Sequence, residues 1–121
     1  FFCALHPTMR PAWSNRMMEL LSEDGRLLCV EFPTYKPHST GGPPWASPPN
    51  VYYAHLTRPG KDLNYSENEG LLKDELEEPS EIHLRQIAHF RPERTQPMGY
   101  DADGNVTDWI GVWAHSDQTK N

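Results

Sequence analysis

Phe1-Phe2-Cys3-Ala4-Leu5 and Leu27-Leu28-Cys29-Val30-Glu31-Phe32, with the stretch between them, decide how this chain is read. Each run is short, continuous and apolar, the pattern of a strand buried on both faces. Between them, Pro7 and Pro11 push the residues before them out of the α region, and Pro11 suits the first turn of a helix. Trp13, Met17, Leu20 and Leu21 then recur at helical spacing as one apolar stripe. Gly25, just past the stripe, is expected to close the helix with a positive φ. Strand, helix and strand at this spacing predict a βαβ unit with two parallel strands. The first run opens without a methionine, cap or turn, so the expectation is a chain cut within a strand.

Downstream, six of the 12 prolines fall between Pro33 and Pro49, a segment that cannot be regular helix or strand. Ser47 is expected to cap a short helix begun by Pro48 and Pro49, with Val51, Tyr52 and Leu56 on its apolar side. Arg58 to Gly70 is polar, with Pro59-Gly60 as a turn. Leu71 to Glu78 reads as acidic and partly helical. The later part of Ile82–Phe90 reads as a strand, and Val106–Ala114 as another, its two faces both able to find a surface. Asp103-Gly104 marks a turn before it. Ser116–Asn121 is expected to be a frayed polar tail, and no internal repeat is visible.

The composition excludes several function classes. The 121 residues have room for one small domain or part of a larger one. A net charge of −6 and no basic stripe argue against a nucleic-acid partner. No run approaches the length needed to span a bilayer, and the opening residues have the wrong flanks for a signal peptide. Two cysteines inside apolar runs suggest reduced, buried thiols and a cytoplasmic protein.

Residues that could carry chemistry are few. The six histidines are scattered, and none lies in a setting that gives metal-ligand geometry on one helix or turn. No metal site is expected. The G-x-S-x-G signature is absent, and Cys3 and Cys29 sit where desolvation makes a thiol inert, so no catalytic nucleophile is assigned. Asp101, Asp103, Gly104, Asn105 and Asp108 hint at a calcium loop but lack its terminal Glu; a solvated turn is the better reading. The aromatic and proline cluster from Phe32 to Trp45 stands out. It follows a central strand, at the edge where open α/β sheets bind ligands. It is either a ligand wall or a surface loop whose Trp45 plugs a gap in the core.

Four groups of residues resemble the thiopurine methyltransferase-like superfamily, most nearly its fungal and plant thiol and halide methyltransferases. They are Phe1-Phe2-Cys3-Ala4-Leu5-His6-Pro7-Thr8-Met9-Arg10-Pro11-Ala12-Trp13 with Arg16-Met17, Leu27-Leu28-Cys29-Val30-Glu31-Phe32-Pro33, Gly41-Gly42-Pro43-Pro44-Trp45, and His89-Phe90-Arg91-Pro92 with Asp103-Gly104-Asn105-Val106-Thr107-Asp108-Trp109-Ile110. The resemblance runs over nearly the whole chain and weakens in an acidic insertion at about 58–81.

The resemblance implies the C-terminal half of an α/β, Rossmann-like class I methyltransferase sheet, mostly parallel with a final antiparallel strand. Residues 1–115 would belong to that domain, 116–121 would be a disordered tail, and the N-terminal strands would be missing. Phe1–Leu5 would be the fourth strand, Leu27–Phe32 the fifth, Leu84–Phe90 the sixth and Val106–Ala114 the antiparallel last. It also implies methyl transfer from S-adenosyl-L-methionine to a small thiol, halide or hydrosulfide, this chain being an incomplete and inactive part. Ala4, Leu5 and His6 are carried over as cofactor-binding; Phe32, Pro33, Tyr35, Pro43, Pro44 and Trp45 form the wall of the substrate pocket. A non-catalytic module that self-associates through an exposed strand edge is the alternative.

Overall fold

The computed structural model describes residues 1–66, 70–71 and 78–116. Two helices, α1 (Arg10–Leu20) and α2 (Pro49–Thr57), accompany five strands: β1 (Leu27–Glu31), β2 (Tyr65–Ser66), β3 (Gly70–Leu71), β4 (Leu84–Phe90) and β5 (Trp109–His115). The main sheet has the order β1-β5-β4, and β5 is antiparallel to both neighbours. β1 and β4 therefore run in the same direction with the last strand inserted, reversed, between them. β2 and β3 form a separate antiparallel ladder. The fold is mixed α/β with antiparallel ladders.

Period-two alternation divides the main sheet into unlike faces. Leu27, Cys29 and Glu31 pair with Trp113, Gly111 and Trp109 on one side and meet α2, whose Val51, Tyr52, Ala54 and Leu56 are buried. Phe2 drops into the same core, its ring 4.6 Å from Trp13 and 4.4 Å from Tyr52. On the other side lie Leu28, Val30 and Phe90, all exposed, around the half-buried Ile110 and Val112.

The predicted βαβ unit is not formed. Phe1–Leu5 is not a strand: Phe2–Ala4 is a 3-10 turn, closed by Ala4 N–H to Phe1 O (3.0 Å) and Leu5 N–H to Phe2 O (3.1 Å). A continuous apolar run reads alike for a buried strand and a buried turn. Here local bonds satisfy the backbone while Phe2 still reaches the core. Helix α1 is present and buries Trp13, with Met17 and Leu21 packed on the core, but Leu20 faces solvent. Gly25 does not close it by a positive φ; the helix ends at Leu21, which is extended (ψ 125°), and Gly25 N–H closes a separate turn on Ser22 O.

Ser47 does not cap α2. Its hydroxyl donates to Trp45 O, and Pro48 occupies the N-cap with no side-chain bond. Of the acidic stretch, 67–69 and 72–77 lie outside the described residues, as do 117–121 of the tail. The flanking Leu63, Tyr65 and Leu71 pack on the core, and Ser116 N–H is held by His83 O at 3.1 Å. No helix among the described residues is long and apolar enough to cross a membrane.

Candidate functional site

Three hydrogen bonds close the base of the proline-rich loop. Ser47 N–H donates to Pro33 O (2.9 Å), Trp45 N–H to Cys3 O (2.8 Å), and the Arg10 guanidinium to Ala46 O (2.9 Å). The ends of β1 and of the Phe1–Leu5 segment are thereby brought to one loop. Gly42 packs so closely beneath Trp45 that a Cβ there would lie 2.6 Å from the indole, and Gly41 adopts a φ of 71° that other residues rarely accept. The Trp45 ring meets His6 edge to face at 4.9 Å.

Arg10 is a residue whose role the sequence did not disclose. It is fully buried at the start of α1, with its guanidinium 5.0 Å from the Phe2 ring and donating to Tyr65 Oη at 3.3 Å. No carboxylate pairs with it among the described residues. Tyr65 Oη also bonds to His55 Nε2. Burial, and then the Arg10 charge, push the His55 imidazole down to about 3, so it stays neutral. Arg10 thus ties the loop to the first helix, and its neighbour cannot repel it.

A cleft of about 730 Å³ runs along the outer edge of β1. Phe1, Cys3, Trp13, Cys29, Phe32 and Tyr52 supply apolar and aromatic lining, with Thr95 and Gln96 also on its wall. Burial pushes the Cys29 thiol up to about 12, which keeps it a core group. A second cleft, on which Thr34, Tyr35, Arg91, Asp101 and Trp109 lie, is lined by neither Pro43 nor Pro44.

The nominated residues consequently occupy three places. His6 and Trp45 touch, with Ala4 and Leu5 beside them in sequence; Phe32 lines the first cleft; Tyr35, exposed, lines the second. Pro33 is buried at the loop base, whereas Pro43 and Pro44 are exposed. Tyr35 is not gathered with Trp45 because the chain turns between them through the His38–Thr40 3-10 turn.

Other polar groups emerged only in three dimensions. Asp108 belongs to no solvated turn: it is fully buried, while Asp101 alone organises the turn by accepting from the N–H groups of Asp103 and Asn105, bonds that hold its carboxyl below the usual range. Glu31, also fully buried, accepts from His89 Nε2 at 2.8 Å, and burial raises its carboxyl above the ordinary value. A charged residue in an apolar strand, Glu31 in Leu-Leu-Cys-Val-Glu-Phe, was the one available sign. Among the described residues no group of three or more His, Cys, Asp or Glu could hold a metal ion.

Comparison with known proteins agrees on one family. The family model for thiopurine S-methyltransferase matches residues 1–89. Thiocyanate methyltransferase 1 of Arabidopsis thaliana is 49% identical over 45 residues, which cover 37% of this chain and 19% of that protein. Thiocyanate methyltransferase 1 of Brassica oleracea is 40% identical over 68 residues, 55% of this chain and 29% of that protein. A probable thiol methyltransferase 2 of Arabidopsis thaliana is 44% identical over 45 residues, covering 37% and 19%. The matched segments thus span less than a third of these relatives. No solved structure gives a significant match.

Proposed function

The chain belongs to the thiopurine S-methyltransferase family, and from that membership we propose that the whole protein transfers a methyl group from S-adenosylmethionine to the sulfur of a small thiol, with halide and hydrosulfide as further acceptors. The observation that carries this reading is the seating of the Gly41–Trp45 loop against Cys3, His6 and Pro33. Two segments of the family pattern converge at that loop, which supports reading it as an aromatic wall. The relatives' names supply the acceptor class, sulfur in thiols and thiocyanate.

The chemistry asks little of the protein. S-adenosylmethionine supplies an already activated methyl group when bound, and a thiolate is a strong nucleophile. What remains is in-line positioning and exclusion of water, worth up to roughly 7–11 kcal/mol when geometry is right. The cleft's volume falls within the range of sites that enclose a small molecule or cofactor. Ala4, Leu5 and His6 would contact the cofactor, Phe32 and Pro33 would bound the acceptor, and Trp45 with Pro43 and Pro44 would shut out water. Of these residues only Phe32 lines the cleft itself, and Tyr35 lies on the second cleft, so the rest would join the pocket in the whole protein. For the whole protein we propose the family's Rossmann-like sheet, with β1, β4 and β5 as its fifth, sixth and last strands. Their order, with a reversed strand inserted between two co-directional ones, supports that reading.

The test is transfer of labelled methyl to a panel of thiols by a protein extended to the length of the relatives. Methylated thiol is the expected product; its absence at saturating donor overturns the reading. The 121 residues alone should bind S-adenosylmethionine weakly or not at all, and micromolar binding by calorimetry would contradict that. A second reading, a self-associating module, is favoured by one observation: β1 is an edge strand beside the exposed Leu28 and Val30. Sedimentation of the chain at low micromolar concentration tests it, a monomer excluding it.

A further inference from the structure

We propose that the second cleft, of about 600 Å³, binds a free α-amino acid with an apolar side chain, Arg91 taking its carboxylate and Asp101 its ammonium. No residue lines both this cleft and the one beside β1. The site is therefore additional to the one proposed for methyl transfer and rests on no part of that reading.

One positive and one negative charge stand on the wall of this cleft, each without a counter-charge. The Arg91 guanidinium lies 4.8 Å from the centre of the Trp109 ring and forms no ion pair among the described residues. Stacking covers the face of a guanidinium and leaves its edge of N–H donors, the fork that fits a carboxylate. Its place is set from the core outward. Buried Glu31 accepts from His89 Nε2 at 2.8 Å, the His89 ring lies flat against Trp109 (4.6 Å, 9°), and Arg91 rests on the same indole. Asp101 accepts from the N–H groups of Asp103 and Asn105, both at 2.9 Å, and no cation pairs with it among the described residues. Those bonds keep its carboxyl ionised, so an ammonium finds a charged acceptor there. The Tyr35 hydroxyl and the Asn105 amide both donate and accept, and so exclude neither end of a zwitterion.

The rest of the wall sets the body of the ligand. Pro49 and Pro92 give it apolar surface, and Tyr35, 60% exposed, leaves its ring open to a side chain. The cleft opens beyond the carboxyl ends of β1 and β4, where Thr34-Tyr35 and Arg91-Pro92 leave the sheet. That is the rim at which open α/β sheets bind ligands. The Thr34 hydroxyl donates to Thr107 O and ties the exit of β1 to the segment that enters β5. A ligand with a single charge would leave one of the two wall charges unmatched, and a dianion would be set against Asp101.

Phenylalanine, 3-phenylpropionate and phenethylamine share one body and carry both charges, the negative one or the positive one. Titration of the 121-residue chain, followed by proton–nitrogen NMR, should move the Trp109 indole N–H signal, assigned through Trp109→Phe. The signal of Trp13, which lines the other cleft, should stay in place. Both wall charges are exposed, so phenylalanine should bind about three-fold tighter than either single-charge probe. Arg91→Gln should bring phenylalanine down to the affinity of phenethylamine, and Asp101→Asn to that of 3-phenylpropionate; should Asp101→Asn disturb its turn, Arg91→Gln decides. Competition separates two sources of the same head group. Leucine should displace phenylalanine, whereas displacement by S-adenosylmethionine alone would assign the cleft to the cofactor and overturn the proposal. Equal affinity of the three probes, no saturable shift at Trp109, or an unchanged ratio in Arg91→Gln overturns it as well. The titration reads binding alone, so its failure leaves methyl transfer standing, and a failed methylation assay leaves this site standing.

Discussion

Glu31 shows how much one residue can hold that its neighbours in sequence do not announce. It interrupts an apolar strand, yet it points into the core, where His89 from β4 reaches it across β5. Its Oε2 and the nearby Trp113 Nε1 have no hydrogen-bond partner among the described residues, and Gly111 leaves the room both need. The titratable groups around it are His89, Cys29 and Tyr52; burial is the largest cause of its raised carboxyl, and the His89 bond only partly offsets it. A carboxyl whose folded value lies above its unfolded one contributes stability that is fully present below the unfolded value and is lost as pH rises through the folded one. Glu31→Gln should therefore flatten the fall in denaturation midpoint from about pH 4.5 upward. An unaltered pH slope would show that Glu31 is not its source. His89→Ala, which strands a buried acceptor, should cost about 1–3 kcal/mol in urea denaturation at pH 7.

At the scale of elements, the loop and the sheet make opposite predictions. Gly42→Ala puts a methyl into the Trp45 ring; overpacking of this kind costs typically about 1–3 kcal/mol, and a shift of tryptophan emission should accompany it. Leu56→Ala, at a wholly buried site on α2, should cost about 2–5 kcal/mol. Leu28→Thr on the exposed face of β1 should stay within about 0.5 kcal/mol for the monomer, and a larger loss would show that the face is covered in solution. Helix α1 was legible from its apolar stripe, α2 from its leading prolines and apolar side, β1 from a continuous apolar run and β5 from alternation, whereas β4 was legible only in its later part. Phe1–Leu5 was not, since five apolar residues fit a turn as well as a strand. Leu20 and Gly25 were misplaced because helix ends depend on local bonds rather than on periodicity.

For the whole molecule, an open apolar sheet face and an edge strand meet a cleft whose wall includes both the first residues and the 95–96 segment. Extending the chain to its relatives' length should raise affinity for S-adenosylmethionine, read by calorimetry; equal weak binding by both lengths would argue that the cofactor site lies elsewhere. The sequence by itself determined the family, through motifs in a fixed order, and that resemblance implied the reversed final strand. The α/β class follows from apolar runs and helical spacing, all written along the chain. The tertiary structure alone decided that Tyr35 leaves Trp45's company, that Arg10 fastens the loop, and that Asp108 turns inward behind Thr95 and Gln96. Burial of a charge is a property of what surrounds it, and those surroundings come from residues far away in the chain.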